Sequence, residues 1–212
     1  MKMLHFRKLN ENDDIDMVAS WIYSTDHFLF DLLFDNDRIR ATTGITRLIN
    51  SSYINPYHRK FITVIYDEDS PIKGVCVGFK GSEISLRETF KAMRDTTCTN
   101  LPRIVQNAVL SEIFASKIRS KDYYIGNLYV DPMYRGESLG TKLVEKSKQI
   151  ASQSNCNAVL LDVEYDKPYL LDFYKKLGFK RDSKNYHRLL GKTYGCYGLK
   201  FDLQNLKDGQ IN

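Results

Sequence analysis

The chain has 212 residues, of which 42% are hydrophobic and 27% are charged, and a formal net charge of +5 at pH 7. The length is sufficient for one domain with a real core, and the composition argues against a disordered chain. No apolar run approaches the roughly 18 residues that a membrane helix needs, so we expect no membrane partner. The positive charge suits anionic partners, but the basic residues are scattered, which makes nucleic-acid binding a minor interpretation.

The N-terminal sequence and the cysteines bear on the compartment. Residues 1–14 contain basic side chains but no apolar stretch of signal-peptide length, so we expect a cytoplasmic protein. The four cysteines are too widely spaced for a CxxC pair, and the four histidines show no metal-ligand spacing. The sequence therefore predicts buried or unused thiols and no metal site.

The chain begins with the patterns of one strand and one helix. Residues 4–9 alternate apolar and polar side chains, which is typical of a strand. Apolar residues recur at helical spacing over 15–22 and predict a helix, with Asn12 or Asp13 as its N-cap.

A second helix and a hairpin follow. The helical pattern over 39–49 is weaker, because Gly44 lowers the helix propensity. Residues 59–66 and 72–80 are rich in β-branched and aromatic side chains, and a turn composition separates them. These two segments predict an antiparallel hairpin.

Segment 82–121 predicts a helical insertion of one or two helices between strands. Asn100 is a suitable N-cap and Pro102 a suitable first-turn residue. The apolar residues at helical spacing are Leu101, Ile104, Val105, Ala108 and Ile118.

The chain after the insertion alternates between strand and helix patterns. Pro168 lies at the start and Gly178 at the end of the last helical pattern, which is the usual asymmetry of helix termini. The predicted elements are strands at 123–130, 158–164 and 194–203 and helices at 139–152 and 167–179.

Residues 130–144 form a strand-to-helix turn with the chemistry of an anion site. Amides at a helix start lack partners and the helix dipole adds positive charge, so the site favours a phosphate. Gly136 and Gly140 leave room for a pyrophosphate. Arg135 adds a positive charge and Thr141 a hydroxyl. The spacing fits neither a Walker loop nor a Rossmann fingerprint, and an ordinary turn with two glycines is the bland alternative.

Two motifs in this part of the chain resemble those of the GNAT superfamily of N-acetyltransferases. The family motif (Q/R)-x-x-G-x-(G/A) corresponds to residues 135–140, with Ser138 in place of the middle glycine. Lys167 and Leu170 stand where the family's C-terminal motif has Asn and Ala, so no contact of that Asn is carried over. The C-terminal motif matches at Phe173, Tyr174, Lys176, Gly178 and Phe179.

The resemblance implies a fold and a cosubstrate. The fold is α/β (α+β), a mixed and strongly twisted sheet of six to seven strands flanked by helices. It forms a single acetyltransferase domain over 1–212, with the helical insertion before the fourth strand. The cosubstrate is acetyl-CoA, and no metal is implied. The fourth and fifth strands, here 123–130 and 158–164, splay apart around the pantetheine arm.

The resemblance also implies which residues contact the cofactor. Backbone groups of the fourth strand pair with the pantetheine arm, and loop amides take the pyrophosphate. These residues are Leu128, Tyr129 and Val130 on the strand and Arg135, Gly136, Glu137, Ser138, Leu139, Gly140 and Thr141 in the loop.

Tyr174 is the candidate catalytic residue, in the position where the family has its general acid. A tyrosine with a pKa near ~10 stays protonated at neutral pH and can give a proton to the departing CoA thiolate. The alternative is a core aromatic, since Tyr174 shares an apolar stripe with Leu170, Phe173 and Leu177.

The proton acceptor is less clearly indicated. Asp162 and Glu164 on the fifth strand are candidates, but a water polarised by strand carbonyls is at least as suitable. The family often uses a backbone amide, here near Val130, as the oxyanion donor. Simple alternation puts Tyr124, Gly126, Leu128 and Val130 on one face of the fourth strand and Ile125, Asn127 and Tyr129 on the other.

The resemblance implies that acceptor specificity comes from the first helices, segment 24–36 and the last strands, which border the open end of the cleft. The acids Asp26, Asp31, Asp35 and Asp37 could attract a cationic amine, but a helix with solvated acids is the favoured interpretation. The insertion could be a lid, a homodimer surface or neither.

The leading hypothesis is an acetyl-CoA-dependent N-acetyltransferase. It would act on a primary amine of a small molecule or protein by direct attack in a ternary complex. The alternative is a catalytically silent acetyl-CoA-binding module. A basic protein associated with nucleic acid is a third class, which would need a clustered positive face.

Overall fold

The computed structural model shows one mixed sheet with helices packed on both faces. It describes residues 3–26, 30–31, 33–68, 72–96, 116–189 and 192–204. The strands are β1 Leu4–Lys8, β2 Ile62–Asp67, β3 Gly74–Lys80, β4 Asp122–Val130, β5 Ala158–Glu164, β6 Lys180–Leu189 and β7 Lys192–Asp202. The helices are α1 Ile15–Thr25, α2 Arg38–Ile49, α3 Leu86–Thr96, α4 Leu139–Gln153 and α5 Tyr169–Lys176.

The seven strands of the described chain have the order β1-β2-β3-β4-β5-β7-β6. Neighbouring strands are antiparallel except β4 and β5, which run parallel. Strands from both ends of the chain therefore lie in the same sheet. The predicted mixed sheet of six to seven strands with flanking helices is confirmed.

The strand β6 was not predicted from the hydrophobic pattern. Its sequence, KRDSKNYHRL, lacks the apolar alternation of a half-buried strand, and residues 180–182 are exposed. The strand lies at the sheet edge and pairs with β7 alone. Polar and charged side chains are common on such edges, where no face has to be buried. A pattern search based on burial therefore misses this strand.

The first helix begins one residue later than its predicted caps imply. Asp14 is the N-cap, and its carboxylate accepts a hydrogen bond from the Met17 amide at 2.9 Å. Asp13 instead accepts two hydrogen bonds of 2.6 Å from the Arg7 guanidinium of β1. The predicted caps, Asn12 and Asp13, are wrong because a tertiary partner takes Asp13.

Two hydrophobic clusters occupy the two faces of the sheet. The helices α1 and α2 cover one face, and α4 and α5 cover the other. Within the described residues, no helix combines the length and the apolar character that crossing a membrane requires. The α1 side includes Val18, Ile22, Ile45, Val64 and Val77, and the α4 side includes Leu143, Val144, Val159, Leu161 and Tyr174.

The insertion is described in part. Its first half contains α3, which confirms a helix in this segment. The predicted helix that Asn100 would cap lies outside the described residues. Ile118 was assigned to that helical spacing but lies in a non-helical stretch, 116–119, that leads into β4. The helical assignment of Ile118 is therefore wrong.

Packing against Phe34 requires a glycine at position 44 of α2. A Cβ at this position would lie 2.4 Å from Cζ and 2.8 Å from Cε1 of Phe34, which is itself 1% exposed. The glycine that weakened the helix prediction thus lets α2 approach the Phe34 ring.

We expect Gly44→Ala to lower the free energy of unfolding by about 1–2 kcal/mol. Overpacking typically costs 1–3 kcal/mol, and the better helix propensity of Ala returns at most ~1 kcal/mol. Urea denaturation would measure the change. Thr43→Ala is the matched control, because Thr43 is exposed on the same helix and its replacement should be neutral or slightly stabilising. A gain in stability for both variants would contradict the packing interpretation.

Candidate functional site

The two parallel strands at the centre of the sheet separate part of the way along their length. Pairing between β4 and β5 runs from Asp122–Ala158 to Ile125–Leu161 and ends there. Both strands are fully described, and β4 continues to Val130 while β5 continues to Glu164. We call the space between the diverging ends the fork. The expected splay is present from residue 126 onward.

A β-bulge at Gly126 changes which residues of β4 share a face. On β3, Val77 pairs with Asn127 and Gly78 pairs with Ile125, so Gly126 is the extra residue. The bulge shifts the alternation by one residue, and the predicted faces are therefore wrong. The α1 face carries Tyr124, Asn127 and Tyr129, whereas the α4 face carries Tyr123, Ile125, Leu128 and Val130.

The turn between β4 and α4 has an unusual backbone. Gly136 has φ +88°, and Ser138 has φ 59° and ψ 23°, in the left-handed region. Ser138 is the N-cap of α4 but makes no side-chain cap hydrogen bond. The family's glycine position is thus filled by a serine that keeps a left-handed conformation.

The loop exposes the free amides of the helix start. The first helical hydrogen bond of α4 runs from the Lys142 amide to the Ser138 carbonyl, so the amides between them have no intrahelical acceptor. A Cβ at Gly136 would meet nothing within 4 Å, whereas one at Gly140 would lie 3.5 Å from Cζ of Phe173. Gly140 therefore brings the two motifs into contact. Residues 135–138 are exposed, and the Leu139 side chain is buried.

The Arg135 side chain lies against the end of β4. Its Nε donates to the Val130 carbonyl at 3.4 Å, and its guanidinium carbon lies 6.0 Å from the Tyr129 ring centroid. The arginine charge thus stays beside the end of β4 and the loop. An anion on the free amides would lie close to it.

A buried ion pair supports this loop, and sequence analysis did not identify it. Lys73 Nζ lies 2.7 Å from Asp67 Oδ2 and 4.4 Å from the Tyr134 ring centroid. The Lys73 carbonyl accepts a hydrogen bond from the Asp131 amide at 2.9 Å. These contacts fix the turn that precedes Gly136. No local motif could reveal them, because the partners come from a different hairpin.

Tyr174 is buried on α5 with its ring against the second core. It is 7% exposed, and its ring centroid lies 4.9 Å from that of Phe173 and 5.7 Å from that of Phe179. Burial raises the pKa of the Tyr174 phenol above its usual value. No described residue hydrogen-bonds to its hydroxyl. The Tyr174 ring thus packs in the core, as the alternative interpretation expected.

Lys167 contacts α1 instead of serving the loop. It forms an ion pair with Glu164, and its Nζ donates to the Thr25 carbonyl at 3.1 Å. The positive charge lies at the C-terminal end of α1, where the helix dipole favours it. The departure from the family's asparagine thus ties α1 to the end of β5.

The two candidate bases have structural partners. Asp162 accepts hydrogen bonds from the Ser116 amide at 2.9 Å, the Ser116 hydroxyl at 2.6 Å and the Tyr124 hydroxyl at 2.9 Å. These three donors occupy both oxygens of the Asp162 carboxylate. Burial and Asp162 both raise the pKa of Tyr124. The case for Asp162 or Glu164 as the base is weakened accordingly.

The acids near the acceptor side also have local partners. Asp31 accepts from the Tyr23 hydroxyl at 2.6 Å, Asp35 lies 3.8 Å from Arg40, and Asp37 caps α2. Asp26 follows α1, and its charge contributes to the raised pKa of Tyr124. The described part of segment 24–36 thus favours the structural interpretation of these acids.

Known proteins were compared with the chain by sequence. The sequence model of the Acetyltransferase (GNAT) family matches residues 23–179. Human N-alpha-acetyltransferase 30 is 32% identical over 77 residues, which are 36% of this chain and 21% of that protein. The thialysine N-epsilon-acetyltransferase of Bos taurus is 32% identical over 60 residues, covering 28% of this chain and 35% of that protein. The aligned part of this chain therefore spans only about a fifth to a third of the length of these relatives.

Solved structures show the same fold at low identity. An N-acetyltransferase from Staphylococcus aureus Mu50 has a TM-score of 0.66 and 18% identity, covering 93% of this chain and all (100%) of that one. A chain of the NatC complex bound to Gag peptide and CoA has a TM-score of 0.50 and 16% identity, covering 95% and 99%. The family match spans well over half of the sequence, and its two motifs meet at the fork. This chain belongs to the GNAT family of acetyltransferases.

Proposed function

We propose that this protein transfers the acetyl group of acetyl-CoA to a primary amine of a small molecule or a protein, by direct attack in a ternary complex. The observation that carries the proposal is the continuity of the fork with the loop. The unpaired edge of β4 leads directly into the exposed amides before α4. We further propose that the reaction takes place in the cytoplasm and within a single domain over 1–212.

The residues at the fork fit the shape and charge of acetyl-CoA. Within the described residues, the β4 backbone at Leu128, Tyr129 and Val130 pairs with no strand on the β5 side, which suits an amide-containing arm. The open space at Gly136 and the unpartnered helix amides suit a pyrophosphate, beside the Arg135 charge. The loop would therefore hold the cofactor mainly by backbone groups. The loop residues assigned to this role are Arg135, Gly136, Glu137, Ser138, Leu139, Gly140 and Thr141.

The transfer requires two proton movements. The amine nitrogen attacks the thioester carbonyl carbon, the carbon–sulfur bond breaks, and the CoA thiolate takes a proton from Tyr174. The amine gives up a proton to water in the fork, since Asp162 and Glu164 already have partners. A β4 amide near Val130 would stabilise the oxyanion.

The matched relatives support an amine acceptor on either a protein or a small molecule. The matched relatives are named for α-amino and thialysine ε-amino acetylation. A silent acetyl-CoA-binding module is the alternative, and it would require Tyr174 or the acceptor site to be blocked. Within the described residues nothing hydrogen-bonds to the Tyr174 hydroxyl, which favours the enzyme over the module.

Calorimetry and a CoA-release assay test the proposal. Acetyl-CoA is titrated into the protein, and free CoA thiol is then measured with thialysine and with a tetrapeptide that has a free amino terminus. Binding with amine-dependent CoA release is the expected result. Binding without release from either amine would favour the silent module, and no binding would reject both functions.

We expect Tyr174→Phe to lower kcat by at least ~10²-fold while the Kd for acetyl-CoA changes less than about twofold, because only the proton donor is lost. Since burial raises the pKa of Tyr174 from about 10, the wild-type rate should show no alkaline fall from this group below pH ~10. Tyr169→Phe is the matched control, because Tyr169 is 70% exposed on the same helix. An unchanged kcat would assign Tyr174 to the core alone.

We expect Gly136→Ala to raise the Kd for acetyl-CoA about tenfold, which corresponds to ~1.4 kcal/mol. The added methyl group meets no atom, so the effect would come from the positive φ, which a side chain disfavours by about 1–3 kcal/mol. Gly178→Ala is the control, with a similar φ of +82° at the end of α5, outside the loop. It should lower the melting temperature but leave acetyl-CoA affinity unchanged. Equal losses of affinity in both variants would speak against the loop as the cofactor site.

A further inference from the structure

Asn127 is a buried polar residue at the fork that the proposed chemistry leaves without a role. It is 4% exposed and follows the bulge directly, on the stretch of β4 that no longer pairs with β5. The bulge turns its side chain toward α1, where its Nδ2 donates to Thr25 Oγ1 at 2.8 Å. Without the bulge, Asn127 would lie on the other face of the strand.

A second hydrogen bond fixes the orientation of the Asn127 amide. The Thr25 hydroxyl donates its single proton to the Ile22 carbonyl at 2.7 Å. Thr25 Oγ1 can therefore only accept a hydrogen bond from Asn127, which holds the Nδ2 end of the amide toward α1. The Oδ1 end is turned away from Thr25, and no described residue donates to it.

An amide oxygen to which no described residue donates can accept a hydrogen bond from a ligand in the fork. The surroundings indicate a cationic or N–H-bearing partner. Tyr124 and the Asp162 carboxylate lie on the same side of the sheet, and the charge of Asp26 reaches Tyr124. The Lys167 ammonium in the same region is paired with Glu164, so the carboxylates of Asp26 and Asp162 leave this face of the fork net negative.

The position of Asn127 also fits the direction of attack. Tyr174 belongs to the cluster on the α4 face, whereas Asn127 faces α1. A thioester between the separated strands would have its proton donor on one face and Asn127 on the other. An amine held on the α1 face can approach the carbonyl carbon while the sulfur takes its proton from the opposite face.

We propose that Asn127 Oδ1 accepts a hydrogen bond from the acceptor amine and so selects primary amines with an N–H directed at β4. Thr25 acts through Asn127 as a positioning residue. This inference rests on the proposed acetyltransferase function and names the residue that receives its acceptor.

Steady-state kinetics with thialysine and the same tetrapeptide test the inference in three variants. Asn127→Leu removes the acceptor oxygen at similar volume and should raise the KM for the amine at least tenfold, with the KM for acetyl-CoA unchanged. Asn127→Asp keeps an oxygen acceptor and should restore most of the amine affinity. Thr25→Val removes the oxygen that accepts from Asn127 Nδ2, so the Asn127 amide is no longer held in one orientation. This variant should raise the KM for the amine by a smaller factor than Asn127→Leu does.

The outcomes separate this inference from the proposed function. If wild type releases CoA with an amine but Asn127→Leu changes the amine KM less than twofold, the Asn127 role is overturned and the function stands. If Asn127→Leu weakens acetyl-CoA and amine equally, or fails to fold while Thr25→Val leaves the amine KM unchanged, Asn127 is structural only. If wild type acetylates neither amine, both proposals fail together.

Discussion

The end of pairing between β4 and β5 is the constraint on which the rest of this site depends. Parallel strands in a sheet normally share hydrogen bonds along their common length, yet here the ladder ends at Ile125–Leu161 while both strands continue. The backbone groups of β4 beyond Ile125 pair with no described strand on the β5 side, so they can form hydrogen bonds with a ligand. The proposed cofactor site depends on this missing strand pairing.

The bulge at Gly126 gives this site two chemically different faces. It places Asn127 and Tyr129 on the side of α1, and it places Leu128 and Val130 on the side of α4. Polar contacts to α1 thus lie on one face of the fork, and the proposed proton donor Tyr174 lies on the other. Proton donation to a leaving group and reception of an acceptor can then occur on opposite sides of one thioester. Without the extra residue Gly126, the side chains that now share the α1 face would be divided between the two faces of the strand.

The loop before α4 keeps its shape through contacts made elsewhere in the chain. Its left-handed residues would be strained in isolation, but the Lys73–Asp67 pair holds the preceding turn, and Phe173 packs against Gly140. The second contact explains why two motifs so far apart in the sequence belong together. The first motif supplies the amides at the start of α4. The second motif packs the Phe173 ring of α5 against that start. Lys167 adds a similar connection between α1 and the end of β5.

Sequence alone determined the features that depend on neighbouring residues. Apolar alternation, apolar runs and β-branched or aromatic content located six of the seven strands of the described chain. The two glycines and the arginine around Leu139 indicated an anion site, because helix-start amides follow from local geometry. Tertiary structure decided the rest. The edge strand β6 is identified by its pairing with β7, and the bulge at Gly126 is set by pairing with β3. Asp13 forms an ion pair with Arg7 instead of capping the first helix. Thr25 meets Asn127 only after folding, since a hydrogen bond between distant residues leaves no periodic trace in the sequence.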